Sequence, residues 1–211
     1  QKGGTTYIKG NLGGGNTIVG WSKEGGKTII DGDVVGSGHY RPVVGYMTAA
    51  GEISVTGDVH GSVACDCGSR AKIEIGKNVD GNIGHSTYGA KVRVKGNVTG
   101  NVGPILIRGD ENVQFYCTIG GNVDGNIENG IVEVNGDVHG NINHLSGNSH
   151  VTVRKNVTGE VGNGNQSRTR VDVGGEIGKI GPSMGGKLYQ RGKDVTYYPI
   201  GNRILNRMFG S

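Results

Sequence analysis

The sequence predicts an all-β chain wound into a single β-solenoid of about nine coils. Three observations carry that expectation. A seven-residue motif, G-[DN]-V-x-G-[NS]-[IV], returns at intervals of about 20 residues. A short apolar–polar–apolar run precedes each copy. Glycine supplies 44 of the 211 residues, while the chain holds only two Phe and one Trp, too few large rings for an ordinary sandwich core.

Taken in order, a degraded copy opens the series at Gly10 (GNLGGG), followed by clear copies at Gly32 and Gly57. Lys77 replaces the first glycine of the next copy. Clear copies return at Gly96, Gly121 and Gly136, a second Lys variant begins at Lys155, and a degraded copy at Gly175 (GEIGKI) closes the series. The second position forms a column: Asn11, Asp33, Asp58, Asn78, Asn97, Asn122, Asp137, Asn156 and finally Glu176. Its intervals are 22, 25, 20, 19, 25, 15, 19 and 20 residues.

The preceding runs include Thr6-Tyr7-Ile8, Thr28-Ile29-Ile30, Ile53-Ser54-Val55, Ile73-Glu74-Ile75, Val92-Arg93-Val94, Val132-Glu133-Val134, Val151-Thr152-Val153 and Val171-Asp172-Val173. Alternation at period two makes each a strand with one face inward. Val at the third motif position and Val or Ile at the seventh continue the inward face around glycine corners. No single repeat buries its apolar face, but stacked repeats do. At about 4.8 Å per coil, nine coils make a rod of roughly 43 Å. Right-handed winding is favoured because the left-handed hexapeptide signature is absent. Glycine and β-branched residues exclude a helical body. Asn82, Asn101, Asn126 and Asn141 are expected to stack as a ladder whose amides bond between coils.

The repeat breaks in two places, which predicts protruding loops at residues 38–50 and 103–116. Tyr40, Arg41, Arg108 and Asp110 are their candidate contact residues. Arg108-Gly109-Asp110 spells an integrin-type tripeptide, for which an exposed charged turn is the simpler reading. Residues 1–181 are therefore assigned to the solenoid and 182–211 to a basic tail. Within the tail, Ile200, Ile204, Leu205, Met208 and Phe209 fall at helical spacing, with Arg203 and Arg207 opposite. A helix at 200–209 capping the solenoid end is the simplest use of that pattern. Docking on a partner chain through Arg203, Ile204, Leu205, Arg207, Met208 and Phe209, or lying on an anionic membrane, are the alternatives.

Chemistry-bearing residues are sparse. The fourth motif position places His60 beside Asp80, and Asp124 beside His139, on successive coils. Such pairs would share a proton or a metal, but a zinc site needs three or four convergent ligands, so a solvated polar stripe is the preferred reading. Cys65, Cys67 and Cys117 match neither a disulfide framework nor a C-x-x-C motif and read as small buried thiols. No nucleophile elbow, phosphate loop or metalloprotease motif occurs, so no enzyme activity and no cofactor are expected. The net charge of +4 is uneven: −1 over residues 1–178 and +5 over residues 179–211. A neutral body argues against nucleic acid bound along it. No apolar run is long enough for a membrane helix, and no signal peptide is visible. The chain begins at Gln1 rather than Met, which fits a trimmed terminus or a removed leader. An extracellular, cell-surface or virion location is favoured over a cytoplasmic one.

The repeated G-x-V-x-G-[NS]-[IV] with its V-x-V strands, over most of residues 51–180, resembles the bactofilins, polymer-forming β-helix proteins of bacteria. That resemblance implies a scaffold subunit assembling end to end without nucleotide. The longer, less regular coils, the higher glycine content and the basic tail depart from it. Two functions are therefore expected to compete: a self-assembling structural subunit of a filament or scaffold, and a surface, secreted or virion-borne binding module presenting the two loops to a partner protein. Outward Glu74, Arg93, Glu133, Thr152 and Asp172 make the lateral faces soluble, which directs contacts to ends or loops.

Overall fold

The structure is a computed structural model. It describes residues 3–14, 17–20, 25–36, 43–46, 48–65, 67–68, 70–84, 89–104, 115–182 and 185–196. These form a β-solenoid of about eight turns, close to the nine repeat copies. The strands are β1 (Thr5–Lys9), β2 (Leu12–Gly13), β3 (Ile18–Val19), β4 (Lys27–Asp31), β5 (Val34–Val35), β6 (Val43–Val44), β7 (Ala50–Val55), β8 (Ser62–Val63) and β9 (Arg70–Ile75). They continue as β10 (Ala90–Val94), β11 (Tyr116–Ile119), β12 (Ile131–Val134), β13 (His150–Val153), β14 (Val157–Val161), β15 (Arg170–Val173), β16 (Ile177–Ile180), β17 (Lys187–Gln190) and β18 (Lys193–Asp194). No helix of the described residues is long and apolar enough to cross a membrane.

Each coil has three faces. The first is one sheet in the order β1-β4-β7-β9-β10-β11-β12-β13-β15-β17-β18, parallel throughout except its last pair. The second is a line of parallel bridges running from Leu12–Val34 through Val59, Val79, Val98, Val123 and Val138 to Val157 and Ile177. The third runs likewise from Val19–Val44 through Val63, Ile83, Val102, Ile127 and Ile142 to Val161 and Ile180. The inward residues of all three faces make one core, with Ile30, Val59, Ile83, Val98, Ile127 and Val138 fully buried. Stacked Val and Ile fit this geometry because each β-branched side chain packs on its equivalents one coil away.

The spacing inside a coil explains the irregular intervals. From the first face to the second the inward positions are four residues apart (Val55 to Val59, Val134 to Val138, Val173 to Ile177). From Val59 to Val161 the second and third faces are also four apart, as in Val98 to Val102; in the last coil Ile177 and Ile180 are three apart, and a register irregularity absorbs the difference. The insertions of these coils fall at the corner between the third face and the first. The coil from Asn122 to Asp137 has no insertion and spans 15 residues, the minimal turn. The first two coils differ, carrying their extra residues between Leu12 and Val19 and between Val34 and Val44.

Three expectations change. Residues 38–50 are not one loop: Val43–Val44 is a strand of the third face, Val44 and Thr48 are buried, and Ala50 begins β7. In the second expected loop, Pro104 and Phe115 are buried, and Tyr116 starts β11. Phe115 packs in the third corner, where a Cβ on Gly84 or Gly130 would lie 2.8 or 2.7 Å from its ring. Finally, the solenoid does not stop at residue 181, because β17 pairs in register with β15 over Arg170–Lys187 to Val173–Gln190. The sequence hid this rung because only Leu188 is apolar and inward, and Gln190 stands where earlier coils have Val or Ile.

Candidate functional site: the stripes and the two ends

The stacked motif builds two polar columns. In the first, the backbone N–H of Asp33 donates to Oδ1 of Asn11 at 2.9 Å. The pattern repeats through Asp58, Asn78, Asn97, Asn122, Asp137 and Asn156, and ends with Glu176 N–H donating to Asn156 Oδ1 at 2.8 Å. In the second, Asn101, Asn126 and Asn141 each donate their backbone N–H to the side-chain oxygen of the preceding Asn, beginning at Asn82, at 2.8–2.9 Å. Glu160 N–H extends this column to Asn141 Oδ1. The expected Asn ladder is therefore present, with a corrected chemistry: a side-chain carbonyl oxygen meets a backbone N–H, not amide against amide. At a corner the backbone ladder is interrupted, and an Asx side chain supplies the missing acceptor.

The first column's role was not assigned from the sequence. Its signal was the free exchange of Asp and Asn, which share a side-chain oxygen at the same reach. The consequence for charge is direct. The Asp58 and Asp137 carboxyls are held below the ordinary Asp range, chiefly by the backbone N–H groups of Asn78 and Asn156.

The His–Asp stripe lies outward on the second face. His139 Nδ1 sits 2.6 Å from Asp124 Oδ1, whereas His60 Nδ1 is 3.9 Å from Asp80 Oδ2, where Thr99 Oγ1 donates to Asp80 Oδ1 at 2.8 Å. Adjacency on neighbouring coils is thus as expected. All four side chains are about half exposed, and among the described residues no three His, Cys, Asp or Glu converge as metal ligands. A third pair was missed. His150 Nε2 lies 2.7 Å from Asp172 Oδ2, and Arg170 donates to both Asp172 oxygens while stacking on Tyr189. The Arg170 hydrogen bonds hold the Asp172 carboxyl below its usual range. Only the parallel register, which sets β13 beside β15, reveals it.

The outer side of the first face alternates in charge. Glu52 bridges Lys27 and Lys72 at 3.8 and 3.3 Å, and Glu74 meets Lys95 at 3.5 Å. An open trough of about 680 Å³ crosses this face over β4 to β11, with Lys91 above the Tyr116 ring. Its lining carries Lys27, Lys72, Lys91 and Arg93 against Glu52 and Glu74, so the trough is net positive. Cys67 and Cys117 are buried and Cys65 is partly so, and burial pushes the Cys117 thiol well up.

The ends are unlike. At the C-terminal end, β17 turns back through Arg191 and Gly192, both at positive φ (51° and 75°), into antiparallel β18. The outward backbone groups of Leu188 are taken: its C=O accepts from Val195 N–H at 2.9 Å, and its N–H donates to Thr196 Oγ1 at 3.0 Å. Gln190 and Arg191 tie the hairpin to Glu176. The first face is therefore closed by residues 191–196, upstream of the segment expected to cap it. At the N-terminal end, β1, β2 and β3 are the edge strands of the three faces. Among the described residues the exposed large apolar side chains are Tyr7 (60%), Ile18 (49%) and Ile131 (39%), two of them in this first coil.

Tyr40, Arg41, Arg108 and Asp110 lie outside the described residues, as do Arg203, Ile204, Leu205, Arg207, Met208 and Phe209. No family model matches the chain, and no curated protein or solved structure matches it.

Proposed function

We propose that the protein is a non-enzymatic structural subunit, a rigid β-solenoid that self-associates through its N-terminal coil as part of a scaffold. One observation carries this reading: three edge strands and two exposed apolar side chains at one end, beside a hairpin-closed first face at the other. Unpaired parallel edges offer rows of backbone donors and acceptors to another strand. The hairpin blocks the place where the first-face strand of a following subunit would sit, so a scaffold with discrete contacts is favoured over a head-to-tail filament. The test is sedimentation of the 211-residue chain over a wide concentration range. Reversible association is the expected result, and a single-chain species at every concentration would overturn the reading.

A second reading, a binding module, is favoured by the position of the insertions. From the third coil onward they share one corner, so they would present variable chain along one edge of a rigid body. A partner retained by the chain but lost on shortening residues 105–114 would support it.

A further inference from the structure

The backbone of β1 fixes how a partner strand would meet it. Lys27 N–H donates to Gly4 C=O at 2.8 Å, and Gly10 N–H donates to Asp31 C=O at 2.9 Å. In a parallel ladder, donors and acceptors alternate sides residue by residue. Even-numbered residues of β1 therefore face β4, while Thr5, Tyr7 and Lys9 direct their N–H and C=O groups away from it, toward the open edge.

We propose that two copies of this chain join N-terminal end to N-terminal end, with β1 pairing antiparallel to β1 of the second copy about a two-fold axis at Tyr7. The inference rests on the self-association reading above and names its partner and register. In this register Tyr7 exchanges both backbone hydrogen bonds with Tyr7 of the second copy, and Thr5 exchanges both with Lys9. The pattern is self-complementary. No lysine opposes a lysine, and the two exposed tyrosines meet as a cross-strand aromatic pair. Thr6 and Ile8, which occupy core columns in this coil but are exposed and half-buried, gain a covering layer. Because the axis passes through the middle of the first face, it carries the second face of one copy onto the third face of the other. Leu12–Gly13 then lies opposite Ile18–Val19, which sets the inward Leu12 against the inward Val19. Two-fold pairing closes on itself, and at the other end the β17–β18 hairpin takes the outward backbone groups of Leu188 in the last parallel strand.

The test combines sedimentation with residue-resolved amide exchange on the 211-residue chain. In the pair, the amides of Thr5, Tyr7 and Lys9 are slowed along with those of Thr6 and Ile8; in a single chain only the even-numbered set is slowed. Tyr7→Pro removes an outward N–H and leaves the β1–β4 backbone bonds, losing besides it only the exposed hydrogen bond from the Tyr7 hydroxyl to Asp31 Oδ2 at 3.2 Å, and Tyr7→Glu sets two carboxylates face to face at the axis. Both are expected to abolish the two-chain species while keeping the melting temperature of the single chain, and Tyr7→Phe is expected to retain it. If Tyr7→Pro fails to fold, Tyr7→Glu and the wild-type exchange pattern still decide. A wild-type assembly whose Thr5, Tyr7 and Lys9 amides exchange freely, or that survives both substitutions, would overturn this pairing and leave self-association standing. A wild-type chain that never associates would overturn both.

Discussion

Asn122 shows what a single motif letter does. Its side-chain oxygen accepts the backbone N–H of Asp137 at 2.9 Å, across the stack rather than along the chain. Asn122→Ala removes that acceptor and leaves a half-buried donor without its partner, at a cost of about 1–2 kcal/mol and roughly 3–6 °C in melting temperature. Asn122→Asp is expected to be tolerated at neutral pH, because Asp already fills the column at positions 33, 58 and 137. Where Asp stands, stability acquires a pH dependence. The folded state favours ionised Asp58 and Asp137, so their contribution is complete above the ordinary Asp value of about 3.9 and lost as pH falls through the lower folded values. Thermal melts across acid pH are expected to show this loss, and the double variant D58N/D137N is expected to flatten it. The corner glycines obey a different constraint. A Cβ on Gly125 would stand 2.3 Å from the carbonyl oxygen of Gly100, so Gly125→Ala must spread two coils, costing about 3 kcal/mol by chemical denaturation. The sequence showed the glycine and Asx columns plainly. It did not show which atoms they join, because stacking contacts span 15 to 25 residues and depend on register.

Among the elements, legibility followed apolar alternation. The V-x-V strands and the Val and Ile bridges were read correctly because both inward positions carry β-branched residues. Val43–Val44 reads as loop because ten residues separate Val44 from the inward Val34, breaking the four-residue rhythm. Phe115 reads as loop because its layer lies in the third corner, beyond the strand pattern. It acts as a core plug against Gly84 and Gly130, so Phe115→Ala is expected to cost about 3–5 kcal/mol, measurable by denaturant unfolding. The closing hairpin was missed because its turn, Arg191-Gly192, resembles no repeat boundary. Thr196→Ala removes the acceptor of the Leu188 N–H, so amide exchange at Leu188 should accelerate while exchange in β9 and β10 stays unchanged.

At the scale of the molecule, the number of coils and the parallel stacking were legible, and the difference between the ends was not. Repeat sequences describe the middle of a solenoid, where every coil has a neighbour on both sides. What happens at an end depends on residues that leave the pattern, such as Gln190 and Thr196, or on the pattern meeting no neighbour, as at Tyr7. That difference in ends is the basis for proposing a closed association rather than an open one. The ten parallel strands of the first face, at about 4.8 Å spacing, give one chain a length of roughly 45 Å and an end-to-end pair roughly 90 Å. Small-angle X-ray scattering of the intact chain over a concentration series measures both length and mass. The mass is expected to level off at two chains while the maximum dimension approaches the length of the pair. A mass that keeps rising with concentration, or a single-chain rod throughout, would contradict it.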